Sequence, residues 1–189
     1  RIEQYTEEID QLRQRAALEE GVVGRSRQMK TILETIRRIA DFDANILFLG
    51  PSGVGKTMLA KIVHQQRKRK DGPFIDINCA AIPEHLLESE LFGYEKGSFT
   101  GAGAKGKVGL IELANEGTLL LDEISEMPLS LQAKLLKTIQ DKVITRVGGT
   151  KEIKVDFRLI TASNRELESL SNKNLFRADL YYRLNVIQI

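Results

Sequence analysis

Cysteine is almost absent from this sequence: Cys79 is the only one in 189 residues. A lone cysteine excludes an intramolecular disulfide and a zinc site built on cysteines, and it fits a reducing, cytoplasmic setting. Long apolar runs are missing too. None approaches the roughly 20 residues needed to cross a bilayer, and no secretory signal opens the chain. An excess of one charge is also lacking. Lys plus Arg total 28 and Asp plus Glu total 26, for a formal net charge of +2. That balance excludes a strong whole-domain attraction to nucleic acid or to an anionic membrane. There is no internal repeat, no low-complexity tract and no initiator methionine. The chain starts at Arg1 and stops at Ile189 within an apolar, strand-like segment, so it is read as a piece of a longer protein.

What is present is an ordinary globular composition, 42% hydrophobic and 29% charged. The length suits one substantial domain with its own core. Residues 1–20 read as a charged helix in which Ile2, Tyr5, Ile9, Leu12 and Ala16 repeat at spacings of three and four. Two readings stay open for that stripe. It packs on its own domain, or it is a dimerising linker from an upstream sensory domain. Gly21 ends it, and a second helix is expected from about Ser26, its N-cap, to Ala40.

Four short apolar runs then read as buried parallel strands: 46–49, 74–77, 118–121 and 157–161, with a fifth at 186–189. Helical patterns separate most of them, among them 56–66 and, clearest, 129–140. The alternation predicts an α/β fold, an open, mostly parallel five-stranded sheet flanked by helices. Residues 143–155 depart from it. Two alternating stretches flank Gly148-Gly149, which predicts an inserted β-hairpin. The basic run 67–70 follows a helix, where it suits the C-terminal dipole and solvent.

Gly50-Pro51-Ser52-Gly53-Val54-Gly55-Lys56-Thr57 follows a predicted strand and opens a predicted helix. In that context it is a phosphate-binding loop for a nucleoside triphosphate. Its glycines let backbone N–H groups converge on phosphate oxygens, and the helix N-terminus favours anions. Lys56 is expected to reach the β- and γ-phosphates, and the Thr57 hydroxyl to hold Mg²⁺. Asp122-Glu123 ends the strand at 118–121, at the carboxyl edge where open α/β sheets bind ligands. Asp122 is thus a second magnesium ligand, direct or through water. Glu123 is placed to orient the attacking water or take its proton. Ser163 and Asn164 end another strand, and either can hydrogen-bond the γ-phosphate or the water. Asn78 follows the second strand and invites the same two readings, site residue or turn residue. Arg177 and Arg183 are candidates to stabilise a transferring phosphoryl group in a neighbouring subunit. Residues 93–107 hold five glycines around Phe99 and read as a mobile loop. Phe99 either tucks inward or touches a partner.

Together these residues resemble the central AAA+ domain of bacterial enhancer-binding proteins, the activators of sigma-54 RNA polymerase. The resemblance runs from about Gly21 to Ile189. It is carried by Gly24-Arg25-Ser26, the phosphate loop, Asn78-Cys79-Ala80, Glu90-Leu91-Phe92-Gly93, Gly97-Ser98-Phe99-Thr100-Gly101-Ala102, Leu121-Asp122-Glu123-Ile124, Arg146-Val147-Gly148-Gly149 and the run from Phe176 to Val186. It implies an ATPase whose site lies between subunits of a ring, usually a hexamer. It implies ATP and Mg²⁺ as ligands, with Val23, Gly24, residues 50–57 and Met58 around the nucleotide. Gly97, Ser98, Phe99, Thr100, Gly101 and Ala102 become the surface that engages sigma-54, and 143–155 a second insertion loop. Asn78 matches the position that restrains the catalytic glutamate, Ser163 and Asn164 the sensor I segment, and Arg177 and Arg183 the trans-acting arginines. The implied activity is remodelling of the closed promoter complex, driven by hydrolysis. The sequence departs from the family in Ser98, where an alanine is usual, and in Val108, where proline is frequent. It stops before the helical lid and before any DNA-binding helix-turn-helix. A general AAA+ remodeller is the first alternative, which the Phe99 loop argues against. A nucleotide-gated regulator that no longer couples to sigma-54 is the second.

Overall fold

A computed structural model describes residues 26–66, 71–98 and 106–189. The expected helix at 1–20, Val23 and Gly24, the basic run at 67–70, and residues 99–105 with Phe99 lie outside the described residues. Internal contacts divide the chain between Ile39 and Ala40. The described part of the first unit is one helix, α1 (Arg27–Ile39). The Ser26 hydroxyl accepts the Met29 N–H at 3.1 Å, the N-cap bond expected from the sequence and worth about 1 kcal/mol. Arg37 and Arg38 occupy its last turn, where the helix dipole favours cations.

The second unit is built on a five-stranded sheet. Its strands are β1 (Ile46–Leu49), β2 (Phe74–Asn78), β5 (Thr118–Asp122), β8 (Arg158–Ser163) and β9 (Ile187–Gln188). They lie in the order β2-β5-β8-β1-β9, and every pairing is parallel. The expected strands therefore all form, within a residue or two of their predicted ends. Parallel neighbours need crossovers, which are supplied by α2 (Lys56–Gln65), α3 (Glu84–Phe92), α4 (Leu110–Leu113), α5 (Leu129–Asp141), α6 (Leu167–Asn172) and α7 (Ala178–Leu184).

Because helices cover the sheet, its central strands are apolar on both faces rather than alternating. Leu47, Leu119, Leu121 and Leu159 face one core, filled by Leu87 and Leu91 of α3 and Leu131, Leu135 and Ile139 of α5. Ile46, Phe48, Leu120 and Ile160, one residue out of phase, are buried outside that cluster.

Register aligns the carboxyl ends. Asn78 lies beside Asp122, Leu121 beside Thr161, and Leu49 beside Ser163. The chain leaves central β1 for the far edge at β2, returns through β5 and β8, and then adds β9 on β1's other side. That reversal opens a crevice at the end of β1, where the glycine loop begins.

Two insertions leave the frame. The predicted hairpin at 143–155 is present as β6 (Val143–Thr145) paired antiparallel with β7 (Glu152–Lys154). The stem of the Phe99 loop is more ordered than a glycine count suggests. β3 (Gly93–Tyr94) and β4 (Lys107–Val108) form a short antiparallel ladder.

Candidate active site

The glycine loop runs from the end of β1 into α2. Gly53 has φ +83° and Gly55 φ +95°, left-handed positions that L side chains resist. Those two residues turn the loop so that the first turn of α2 points back at it. The Gly50 N–H donates to the Ser163 carbonyl at 3.1 Å, fastening the loop to the end of β8. Lys56 is 7% exposed, and its ammonium donates to the carbonyls of Gly50 and Pro51 at 2.8 and 3.0 Å. Its charge is thus held inside the loop's curve. Pro51, Ser52, Gly53 and Val54 are exposed, and Met58 is half-buried beside Thr57 in the first turn of α2.

The Thr57 hydroxyl donates to Asp122 Oδ2 at 3.4 Å, from the first turn of α2 to the end of β5. The other Asp122 oxygen accepts the Glu123 N–H at 2.9 Å. Hydroxyl and carboxylate therefore converge at the carboxyl edge. Oxygen donors of this kind suit a hard divalent cation such as Mg²⁺, completed by phosphate oxygens and water. Among the described residues, no three His, Cys, Asp or Glu side chains cluster as a metal site.

Glu123 follows β5 in the left-handed region, with φ +50° and ψ +48°. A non-glycine residue held there costs about 1–3 kcal/mol. The turn delivers its carboxylate to two other strand ends. Ser52 donates to Glu123 Oε1 at 3.0 Å, and the Asn164 N–H donates to Oε2 at 3.3 Å. Asn164 Nδ2 closes the ring on Ser52 Oγ at 3.4 Å. Three residues far apart in the chain thus meet over the crevice. The pairing of Ser52 with Glu123 had no signal in the sequence beyond the loop motif itself.

Two other candidates sit at the same edge with their side chains engaged elsewhere. Ser163 is fully buried; its hydroxyl donates to the Arg165 carbonyl at 2.6 Å and accepts the Arg165 N–H at 3.1 Å. That is turn chemistry at the end of β8. Asn78 accepts the Ala80 N–H at 2.9 Å, a local turn bond of the same kind. It lies beside Asp122 in the sheet, and its side-chain oxygen is engaged within its own turn.

Cys79 follows at once, 3% exposed, with its N–H donated to the Asp122 carbonyl at 2.9 Å. Burial first, and then the Asp122 charge, push its thiol up to about 12. The thiolate is the reactive form. Iodoacetamide at pH 8 is therefore expected to alkylate Cys79 at least about a hundredfold more slowly in the folded than in the urea-unfolded protein. Equal rates would contradict the buried placement.

Arg177 and Arg183 stand outside this hydrogen-bonded group, at the two ends of α7. Arg177 is the N-cap residue of α7 and Arg183 is in its last turn, and both are exposed. The Arg177 guanidinium grips Asp179 with two bonds, at 3.0 and 2.7 Å. That fork holds the Asp179 carboxyl below its usual range and raises Arg177 further. The Arg183 carbonyl accepts the Asn45 side chain at 2.8 Å, anchoring α7 beside the start of β1.

The two insertions meet. Val147 exchanges backbone bonds with Gly93 (2.9 Å) and Glu95 (3.0 Å). Arg146 takes Glu112 bidentately, at 2.9–3.2 Å, and reaches Glu95 at 3.4 Å. At Gly148, φ +73°, a Cβ would come 2.4 Å from Ser98 Cβ, so only glycine lets the hairpin turn lie against that residue. Ser98 and Gly97 are thus placed at the hairpin, directly before the undescribed part of their loop.

The family model for the sigma-54 interaction domain matches residues 22–189. The chain belongs to the sigma-54 interaction domain family. The chain is 52% identical over 170 residues to the putative uric acid sigma-54-dependent transcriptional regulator UacR of Escherichia coli K12, covering 90% of this chain and 29% of that protein. It is 52% identical over 168 residues to the regulatory protein AtoC of the same organism, covering 89% and 36%. The crystal structure of NtrX from Brucella abortus in complex with ATP is similar with a TM-score of 0.80 and 39% identity, over 89% of this chain and 36% of that one. The chain thus spans about a third of the length of these relatives. The fold of this sigma-54 interaction domain is that of the AAA+ P-loop NTPases, as the family resemblance implied, on the open parallel sheet expected from the strand pattern. No helix among the described residues is long and apolar enough to cross a membrane.

Proposed function

We propose that this domain is the ATP-hydrolysing motor of a sigma-54-dependent regulator, and that it works in a ring to remodel the closed promoter complex in the cytoplasm. The observation that carries the reading is the meeting of Ser52, Glu123 and Asn164 beside the Thr57–Asp122 pair. A site for binding alone needs the loop and a magnesium ligand. It has no need of a carboxylate held in a strained turn across from them.

In this reading Lys56 and the loop amides hold the β- and γ-phosphates, and Thr57 and Asp122 hold Mg²⁺. Bound Mg²⁺ would neutralise charge on the β- and γ-oxygens. Glu123 orients water for in-line attack and takes its proton, while Ser52 and Asn164 fix its two oxygens. Val23, Gly24 and Met58 complete the nucleotide contacts. Asn78 restrains Glu123 through its side-chain NH₂, while its oxygen accepts the Ala80 N–H. Arg177 and Arg183 act on the neighbouring subunit's nucleotide. Residues 1–20 link the motor to an upstream domain, and DNA contact belongs to a separate helix-turn-helix.

The segment from Gly97 to Ala102, with Phe99 and Thr100 at its centre, engages sigma-54. The Val147 and Arg146 contacts to its stem support this reading, since they join the hairpin to the stem at Gly93 and Glu95. Phe99→Ala is therefore expected to keep ATPase activity within about twofold and to abolish sigma-54 binding in the presence of ADP and a metal-fluoride transition-state analogue. Unchanged sigma-54 binding would refute the assignment of this loop.

A further inference from the structure

Gln132 is a primary amide with no exposed surface, in the first turn of α5. It continues the stripe of Leu135, Leu136 and Ile139, where a leucine would be expected. An amide is tolerated in such a place only when both ends are hydrogen-bonded. Both are. Gln132 Nε2 donates to the Met127 carbonyl at 2.8 Å, and Oε1 accepts the Arg177 N–H at 2.8 Å. The partners fix the orientation. A flipped amide would set NH₂ against an N–H and oxygen against a carbonyl.

The two partners lie at the ends of functional segments. Met127 closes the short 3₁₀ helix Ile124–Glu126, whose N-cap is Glu123. Arg177 is the N-cap residue of α7, and its side chain is gripped by Asp179 in that helix's first turn. The Asp179 Oδ1 also accepts the Leu180 N–H at 2.8 Å, so the gripping carboxylate is itself anchored. One buried amide therefore spans from the segment that carries Glu123 to the backbone of Arg177.

We propose that Gln132 is a positioning residue for Arg177: its amide holds the Arg177 backbone in register with the Glu123 segment, so that the arginine reaches the neighbouring subunit's nucleotide correctly. The inference rests on the trans reading of Arg177 given above. Gln132 touches no nucleotide itself and acts only through Arg177.

The test uses the full chain with Gln132→Met, which keeps the volume and apolar fit and removes both bonds. Expected are an ATP dissociation constant within about twofold and a kcat per folded subunit lower by about tenfold or more. Gln132→Leu, apolar and of similar size, also removes both bonds. It is expected to lose turnover as well, and it serves where the Met variant does not fold. Rings mixed from Gln132→Met and Glu123→Gln subunits decide where the defect lies. The Glu123→Gln subunit brings an intact Arg177, so turnover should rise several-fold above the sum of the separate proteins. Unchanged kcat in the folded variants overturns the proposal, and so does a lowered kcat that mixing fails to restore. Arg177→Ala runs beside them. If it keeps full turnover, the trans reading of Arg177 has failed, whatever Gln132 does.

Discussion

Glu123→Gln is expected to lower ATP turnover by about 10²–10⁴-fold, the range for removal of a general base, while ATP still binds. The expectation follows from where the carboxylate is held. Its two oxygens are occupied by Ser52 at 3.0 Å and the Asn164 N–H at 3.3 Å. Gln has the same shape and can still accept one of those bonds. Its NH₂ must then face the Ser52 hydroxyl, which can turn to accept, or the Asn164 N–H, which cannot. The site therefore keeps its outline and loses its base. Lys56, the loop amides and the Thr57–Asp122 pair are untouched, so binding energy for the triphosphate remains. The left-handed backbone at Glu123 supports the assignment, since strain of about 1–3 kcal/mol is retained where surrounding structure holds a residue in place for a task. Steady-state hydrolysis and a direct nucleotide titration check the two halves separately. Turnover near that of the parent would remove Glu123 from the mechanism.

Most of this site was legible because its chemistry is dictated locally. Gly53 and Gly55 stand at φ values that favour glycine, so the motif and the conformation are one statement. The five strands were legible because a sheet covered on both faces leaves uninterrupted apolar runs. Asp122 and Glu123 were legible because β5 ends there, and a parallel sheet puts its strand ends together. Side-chain partners were not legible, because they depend on distant segments. Ser163 turns to Arg165 and Asn78 to Ala80, bonds that nearby residues offer and a motif does not reveal. Gln132 left one trace, a polar residue on an apolar stripe. Its partners, at Met127 and 45 positions away at Arg177, could be named only from the fold. The ladder at the root of the Phe99 loop was hidden by its own glycines. Gly93, at φ +73°, and Gly109 allow two backbones to approach so closely that a Cβ at either would meet backbone atoms at 2.4 Å. Glycine content there marks contact, where it was read as looseness.

Arg177→Ala is expected to cost about 10³–10⁵ in turnover, the range for loss of an arginine finger, with ATP affinity for the single subunit kept. Among the described residues, the side-chain hydrogen bonds that fix the guanidinium run to Asp179 on its own helix, and none runs to Ser52, Thr57, Asp122 or Glu123. The residue is exposed, at the N-cap of α7, and its backbone is anchored through a buried amide. Such investment in the placement of an exposed cation has no return within this subunit, since an exposed pair with Asp179 adds little to stability. It has one if the charge is delivered to a neighbour. The two explanations separate cleanly. If Arg177 serves its own fold, Arg177→Ala should melt at a lower temperature and hydrolyse normally per folded subunit. If it serves the neighbour, melting is unchanged and hydrolysis collapses. Complementation then gives the sign: Arg177→Ala lacks the arginine it lends, and Glu123→Gln lacks the acid it keeps. Where a Glu123→Gln subunit lends its Arg177 to an Arg177→Ala subunit, one complete site is rebuilt. Mixed rings should therefore hydrolyse ATP when neither parent does, and silence in the mixture would place the arginine's role, if any, within its own subunit.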